Sequence, residues 1–443
     1  MKLKLFCLSM TLLLLAISCS NSIVNADNHL VEYSGRIDFT NPTAPCFSYS
    51  GVSIRFFAKT TEVKATIADE RGENYFAVIV DRVYQGKLKL DEGQKEYTVA
   101  SDLGQGVHEI ELVKITEEQF GKTTFHQFDL CGGKIVESNN PRTHTIEFIG
   151  NSITCAYGNE GYLGEKFGAS TENHYFGYAP MVVRSFDANP IMVCKSGIGI
   201  YRNYGAPADS GSVDNMTNYY CCTYLYDSLP LHPFSIQPDV VCINLGTNDF
   251  GVCMPDTVKF MNMYMQLIDS ICGHYNSPQI VSLMGTMLYG EFKDVCRRCI
   301  NKVVADAKNK GVNISFFEMT EQDRKEPQGI DWHPTIRQHL RAARELMNYL
   351  SQLMQWSIDE QVLRAEQRGN QVWLYANTLE TLSNPKMANL NILVDGNPAT
   401  ITNTEIDESN CLMIVTLSEN GTATFASETL NSGIIRSQIV AAK

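Results

Sequence analysis

His144-Thr145-Ile146-Glu147-Phe148-Ile149-Gly150-Asn151-Ser152-Ile153-Thr154-Cys155-Ala156-Tyr157 is the stretch on which the rest of the chain turns. Three apolar positions, Ile146, Phe148 and Ile149, run into Gly150, and Asn151-Ser152 opens a segment able to start a helix. The pattern predicts a buried strand that breaks sharply at glycine and presents a serine at its carboxyl end. In open α/β sheets the carboxyl ends of the strands are where ligands and catalytic side chains gather. A serine in that place also serves as an ordinary N-cap, its hydroxyl accepting from helix N–H groups. Other segments must therefore supply the rest of a nucleophile's apparatus before chemistry is read into it.

Outward from this stretch the chain changes character twice. From His144 on, strands are expected at 145–149, 191–195, 239–245, 279–284 and 312–318, alternating with helices near 173–188, 256–275, 291–310 and 335–355. That alternation predicts a parallel sheet with helices on both faces. Ahead of it, from 29 to 135, short β-branched or alternating runs (52–57, 63–68, 75–80, 97–100, 108–113) are parted by turn signals such as Asp91-Glu92-Gly93 and Gly104-Gln105-Gly106. They predict an antiparallel sandwich of about 100 residues, either a carbohydrate-binding module or a plain scaffold. The polar run Glu137–Arg142 reads as a linker, and the segment after 358 as a small β-rich appendage with nothing catalytic in it. The expected organisation is a leader at 1–26, an all-β sandwich at 28–137, an α/β/α domain at 144–357 and the appendage at 358–443.

Composition bounds the function classes. A chain of 443 residues with 44% hydrophobic and 19% charged residues is an ordinary globular protein of two or three domains. A net charge of −13 without any long Lys/Arg run disfavours nucleic acid or an anionic membrane as the main partner. Lys2 and Lys4 precede the apolar run Leu5–Ile17, which is too short to span a bilayer and is flanked like a signal peptide. Two processing points compete: Val24-Asn25-Ala26 fits the small-residue cleavage rule, and Ala16-Ile17-Ser18-Cys19 resembles a bacterial lipoprotein box with Cys19 lipidated. Either makes the mature chain exported, secreted or held to the cell envelope by a lipid at Cys19. Of the fourteen cysteines, several lie in apolar runs (Cys194, Cys242, Cys272), where a thiol acts as a small hydrophobe. Cys296 and Cys299 have a redox or zinc spacing but lack a second pair. Most cysteines read as buried thiols, with room for one or two disulfides.

Three further segments carry chemistry. Val240–Leu245 is a buried run ending at Gly246-Thr247-Asn248-Asp249, where the Asn248 amide is placed to stabilise an oxyanion; turn closure by Asx side chains is the competing reading. Gly329-Ile330-Asp331-Trp332-His333-Pro334 puts a histidine in a loop, where a neutral imidazole can take a serine proton and return it. Val193–Gly199 is another strand followed by glycines, and Gly197 lets a backbone N–H approach a ligand closely.

The set resembles the SGNH (GDSL-type) hydrolases, whose blocks run Ser, Gly, Asn, His, as Ser152, Gly197, Asn248 and His333 do here. Gly150–Thr154, Thr171–Tyr175, Ser196–Asn203, Gly246–Asp249 and Asp331–Pro334 together resemble carbohydrate esterase family 2, over residues 30 to 355. The resemblance implies that the sandwich is a jelly roll and the α/β/α domain an SGNH hydrolase, and that the chain is a serine esterase removing O-acetyl groups from plant polysaccharides such as xylan or glucomannan, with no metal and no cofactor. It implies Ser152 as nucleophile, His333 as base, and an oxyanion hole made by the N–H groups of Ser152 and Gly197 with the Asn248 side chain. Two departures matter. Asn151 stands where the wider pattern has Asp, and Ile330 stands three residues before His333, where the acidic triad member belongs. Some members of that family resemble this, using a Ser–His dyad in which a backbone carbonyl orients the histidine, and the resemblance implies the same here, with the main-chain oxygen of Asp331 the first candidate and its carboxylate as triad member the alternative. Tyr201, Phe250 and Trp332 are candidates for stacking on sugar rings, or for packing. Two other readings remain open: a silent carbohydrate-binding lipoprotein, and an esterase acting on a lipid or on another acetylated glycan.

Overall fold

The computed structural model describes residues 22–442 apart from 208, 209, 226 and 228, so Cys19 and most of the leader lie outside the described residues. Five strands form the central sheet: β1 (His144–Gly150), β2 (Ala188–Cys194), β3 (Val240–Asn244), β4 (Gln279–Met284) and β5 (Ile314–Glu318). All neighbours are parallel, in the order β2-β1-β3-β4-β5. The period-2 geometry of the strands splits their side chains between two cores. Ile149, Val241 and Ile243 pack with helices α2 (Thr257–His274) and α3 (Gly290–Asn309). Phe148, Val240 and Cys242 pack with α1 (Tyr178–Ser185) and α4 (Ile336–Met354). The order reverses at β1 and β3, so their carboxyl ends diverge and leave the crevice in which such sheets bind ligands.

The helix expected over 173–188 is shorter. A single turn at His174–Phe176 is followed by extended Gly177, and α1 begins only at Tyr178. A Cβ on Gly177 would stand 3.0 Å from the Ala156 Cβ and from the His174 carbonyl oxygen, so the break is set by close approach to the serine helix.

The N-terminal part is a sandwich of two antiparallel sheets. One holds Ile23–Asn25, Thr123–Asp129, Val63–Asp69 and Gly93–Ala100 along its path; the other Lys134–Val136, Ser53–Lys59, His108–Lys114, Tyr75–Val80 and Val83–Lys89. It takes in residues ahead of 28, because Ile23–Asn25 pairs with Gln127–Asp129. The strand Val83–Lys89 escapes the sequence because its hairpin turns at Asp81-Arg82, both with positive φ (51° and 67°), without the glycine or asparagine that marks such turns.

The polar run read as a linker is anchored. Arg142 donates to both carboxylate oxygens of Glu111, at 2.9 and 2.8 Å, and the Asn140 carbonyl accepts from Arg55. Deeper in the same interface, Arg36 of the sandwich forms an ion pair with Glu147 in the middle of β1 at 3.2 Å, both fully buried, and the Tyr220 hydroxyl donates to the same carboxylate. This explains a glutamate inside a core strand. Breaking such a pair strands a buried charge, so Arg36→Met is expected to destabilise the protein by about 3–5 kcal/mol, read from chemical denaturation.

Beyond α4, the strands Val362–Arg368, Gln371–Ala376, Ile401–Asp407, Leu412–Leu417 and Ile439–Ala441 form one sheet, with a three-stranded sheet beside it. The Asn377 amide donates to the Ser185 hydroxyl at the end of α1 at 3.0 Å, and the Tyr84 backbone exchanges hydrogen bonds with Arg436 and Gln438. The appendage is thus packed on both the hydrolase layer and the sandwich. All twelve cysteines among the described residues are free thiols.

Candidate active site

The turn after β1 fixes the serine. A side chain on Gly150 would collide with the Thr154 hydroxyl, so only glycine lets the strand bend straight into the short helix Ser152–Cys155. Asn151 caps that helix: its side chain accepts from the Ile153 N–H at 3.1 Å, and its carbonyl accepts from Thr154 and Cys155. With the cap supplied by Asn151, the Ser152 hydroxyl is released from the capping duty that a serine at a helix start usually has. It lies 2.8 Å from Nε2 of His333.

His333 comes from the loop before α4, 181 residues away. Its Nδ1 lies 3.1 Å from the carbonyl oxygen of Ile330. A carbonyl only accepts, so Nδ1 carries the proton and Nε2 presents its lone pair to the serine hydroxyl. Burial lowers the His333 pKa below the ordinary histidine value, against the opposing pull of the Ile330 carbonyl and the charges of Glu117 and Asp331. The imidazole is therefore neutral near pH 7.

Here the expectation for Asp331 is corrected in part: the main-chain oxygen at hydrogen-bond distance from Nδ1 belongs to Ile330, the residue standing in the usual acid's place, and the Asp331 backbone adds a smaller pull in the same direction. Asp331 and Trp332 both have positive φ (50° and 66°), and this tight left-handed turn folds the Ile330 carbonyl back beneath the ring. The Asp331 carboxylate instead accepts from the Tyr157 hydroxyl at 2.9 Å. Tyr157 stacks on Phe167 at 3.7 Å and leans against the His333 ring at 4.5 Å.

The other two blocks meet at the same sheet edge. Asn248 is 7% exposed and donates through Nδ2 to the Ile198 carbonyl at 2.7 Å, which fixes the amide plane. Asp249 is fully buried, and its carboxylate accepts from the N–H groups of Ile200, Tyr201 and Arg202, tying the Asn248 turn to the loop after β2. In that loop Gly197 has φ +80° and open space where a side chain would sit. The side chains of Asn248 and Asp249 thus both reach across to the loop after β2, 47 to 50 residues away in the chain, rather than closing their own turn.

The aromatic candidates divide. Phe250 is fully buried against Phe260, and Tyr201 is only 6% exposed, so both are packing residues rather than sugar platforms. Trp332 is 52% exposed. Sequence reasoning missed Tyr204, which is 65% exposed and whose N–H donates to the Gly197 carbonyl. It also missed Tyr157, which lies five residues after the serine and was quoted only as the end of the motif.

Residues 33–139 match the family model "Carbohydrate esterase 2 N-terminal", and residues 146–346 match "GDSL-like Lipase/Acylhydrolase". The chain is 35% identical over 332 residues to the cellulase/esterase CelE of Acetivibrio thermocellus, covering 74% of this chain but only 40% of that protein's length. It is 25% identical over 342 residues to an acetylxylan esterase / glucomannan deacetylase of Cellvibrio japonicus, covering 76% of this chain and 93% of that one. Among solved structures, a family two carbohydrate esterase from Clostridium thermocellum in complex with cellohexaose superposes with a TM-score of 0.69 at 36% identity, covering 74% of this chain and 99% of that one. With both of its family domains in order and a relative of this identity matched almost end to end, the chain belongs to carbohydrate esterase family 2.

Proposed function

We propose that this protein is a serine esterase that removes O-acetyl groups from plant cell-wall polysaccharides of the xylan and glucomannan type. The observation that carries the reading is the 2.8 Å contact between Ser152 Oγ and His333 Nε2, at the edge where Gly197 and Asn248 also converge. Ser152 attacks the acetyl carbonyl carbon while His333 takes its proton. The negative charge that develops on the carbonyl oxygen is met by the N–H groups of Ser152 and Gly197 and by the Asn248 amide, whose plane is already fixed. His333 gives the proton to the sugar oxygen as its bond to the acetyl carbon breaks, then takes a proton from the attacking water and returns it to Ser152 Oγ as acetate leaves. Ile330 stabilises the imidazolium only through its carbonyl dipole, so the pair works as a dyad.

The relative with cellohexaose bound and the Cellvibrio acetylxylan esterase / glucomannan deacetylase both support a β-linked polymer as substrate. Exposed Trp332 and Tyr204 provide faces on which sugar rings stack. Such a polymer stays outside cells, which fits an exported enzyme. Of the two processing points, the reading favours Cys19: cleavage after Ala26 would remove the strand Ile23–Asn25 from the sandwich, and with it the core residue Val24, which is 3% exposed.

Acetate release from acetylated glucomannan and acetylated xylan, by wild type and by Ser152→Ala, tests the reading. Release by wild type alone supports it. Binding of either polymer without release supports a silent binding protein instead, and activity confined to other acetyl esters moves the substrate class. The dyad makes a separate prediction. Asp331→Ala retains most of the activity, whereas loss of a carboxylate that orients a triad histidine costs on the order of 10⁴-fold. Removing this negative charge also disfavours the imidazolium. The acidic limb of the kcat/KM profile, which rises with pH as His333 loses its proton, is therefore expected to move to lower pH in Asp331→Ala.

A further inference from the structure

Glu117 belongs to the sandwich, at the start of the turn Glu118–Phe120, yet its carboxylate is spent on the hydrolase layer. Oε2 accepts from the backbone N–H of Ser196 at 2.7 Å, and Oε1 accepts from the Ser196 hydroxyl at 2.5 Å. Both oxygens of a carboxylate that is 1% exposed are thus used on the single residue before Gly197. On the other side of that glycine, its carbonyl accepts from the Tyr204 N–H at 2.8 Å. The peptide linking Ser196 to Gly197, which carries the Gly197 N–H, is therefore gripped from both ends. Gly197 itself, with φ +80° and no side chain, offers no resistance of its own to peptide rotation.

The surroundings argue that this carboxylate is not placed for stability. Glu118 and Glu172 are buried with it, and the Glu117 N–H donates to the Glu172 carboxylate at 3.0 Å. Burial and the charge of Glu117 push the Glu118 carboxyl up to about 7 and the Glu172 carboxyl well above the carboxylate range. Of the cations nearby, Lys114 is spent on the carbonyls of Thr116 and Glu117, Arg71 donates to the Gln119 carbonyl, and the charge of Lys195 opposes only part of the rise at Glu118. Crowding acids in a dry pocket is unfavourable unless the geometry they enforce is needed.

We infer that Glu117 is a positioning residue for the esterase reaction, a carboxylate by which the β-sandwich fixes the Ser196–Gly197 peptide so that the Gly197 N–H faces the acetyl oxygen. The inference rests on the esterase reading and extends it: the sandwich completes the oxyanion hole of the hydrolase layer. Glu117→Ala frees the peptide, and since an ångström of misplacement is worth about 10²-fold, kcat is expected to fall by that order with KM unchanged. Glu117→Gln recovers most of the loss, because its amide oxygen accepts from the Ser196 N–H while its NH₂ donates to the hydroxyl.

The test is steady-state hydrolysis of 4-nitrophenyl acetate by the full-length wild type and variants, with thermal melting to show that each is folded. This small ester reports on the chemistry without the polysaccharide cleft. A kcat for Glu117→Ala equal to that of wild type overturns the inference, as does a Glu117→Gln variant as impaired as Glu117→Ala. Should Glu117→Ala fail to fold, Glu117→Asp, which withdraws the carboxylate by one methylene, is read in its place with the same criteria. A wild type inactive on this ester defeats the esterase reading itself, and the inference falls with it.

Discussion

Replacing Ser152 with alanine is expected to lower kcat for deacetylation by about 10⁴- to 10⁶-fold, the range seen when a nucleophile that works as a unit with its base is removed. That is roughly 5–8 kcal/mol of transition-state stabilisation. The size follows from what remains. The proposed oxyanion donors are untouched, but nothing is left to form the acyl intermediate, and water must attack directly. Folding is a separate matter. The hydrogen bond recorded for the Ser152 hydroxyl is to His333, so its loss costs about 0.5–1.5 kcal/mol, and alanine keeps the buried methylene in place. Melting temperature and polysaccharide binding should therefore stay near wild type while acetate release disappears. Retained turnover in Ser152→Ala would falsify covalent catalysis at this serine.

His333→Ala is expected to have an effect of the same order, and the double variant Ser152→Ala/His333→Ala to be little worse than either alone. Serine and histidine act on one proton, so removing either ends the same process, and their losses do not add. The contrast with Asp331→Ala is the informative one. Both residues sit in one loop two positions apart, but His333 touches the serine while Asp331 touches Tyr157. A wide gap between the two variants, measured as kcat on acetylated glucomannan, confirms that the carbonyl of Ile330 suffices to hold the ring. A gap that closes would place the Asp331 carboxylate in the reaction. In the histidine variant the acidic limb of the pH profile should vanish with the group that titrates.

The two predictions lean on different amounts of tertiary information. Ser152, Gly197, Asn248 and His333 are legible because each lies where a strand run stops at glycine or where a helix is about to begin, and those breaks are local properties of the chain. The parallel sheet is legible for the same reason: apolar runs of strand length alternate with segments of helical period. The sandwich is legible in outline, although a hairpin turned by Asp81-Arg82 hides one of its strands.

What the chain by itself determined is therefore the layered fold, the order of the blocks and the residue types at their tips. Only the tertiary structure decided which atom orients His333, since two adjacent left-handed residues swing the Ile330 carbonyl into place and no propensity announces such a turn. It also separated Trp332 from Phe250 and Tyr201, because exposure depends on what packs from elsewhere and all three are aromatic residues beside a motif. Glu117 and Arg36 belong to the same class. Each is an ordinary charged residue in a β-rich segment until folding carries it onto Ser196 or Glu147, across 79 and 111 positions of chain. Contacts of that range are set by how two independently patterned layers dock, and the local sequence at either end holds no record of them.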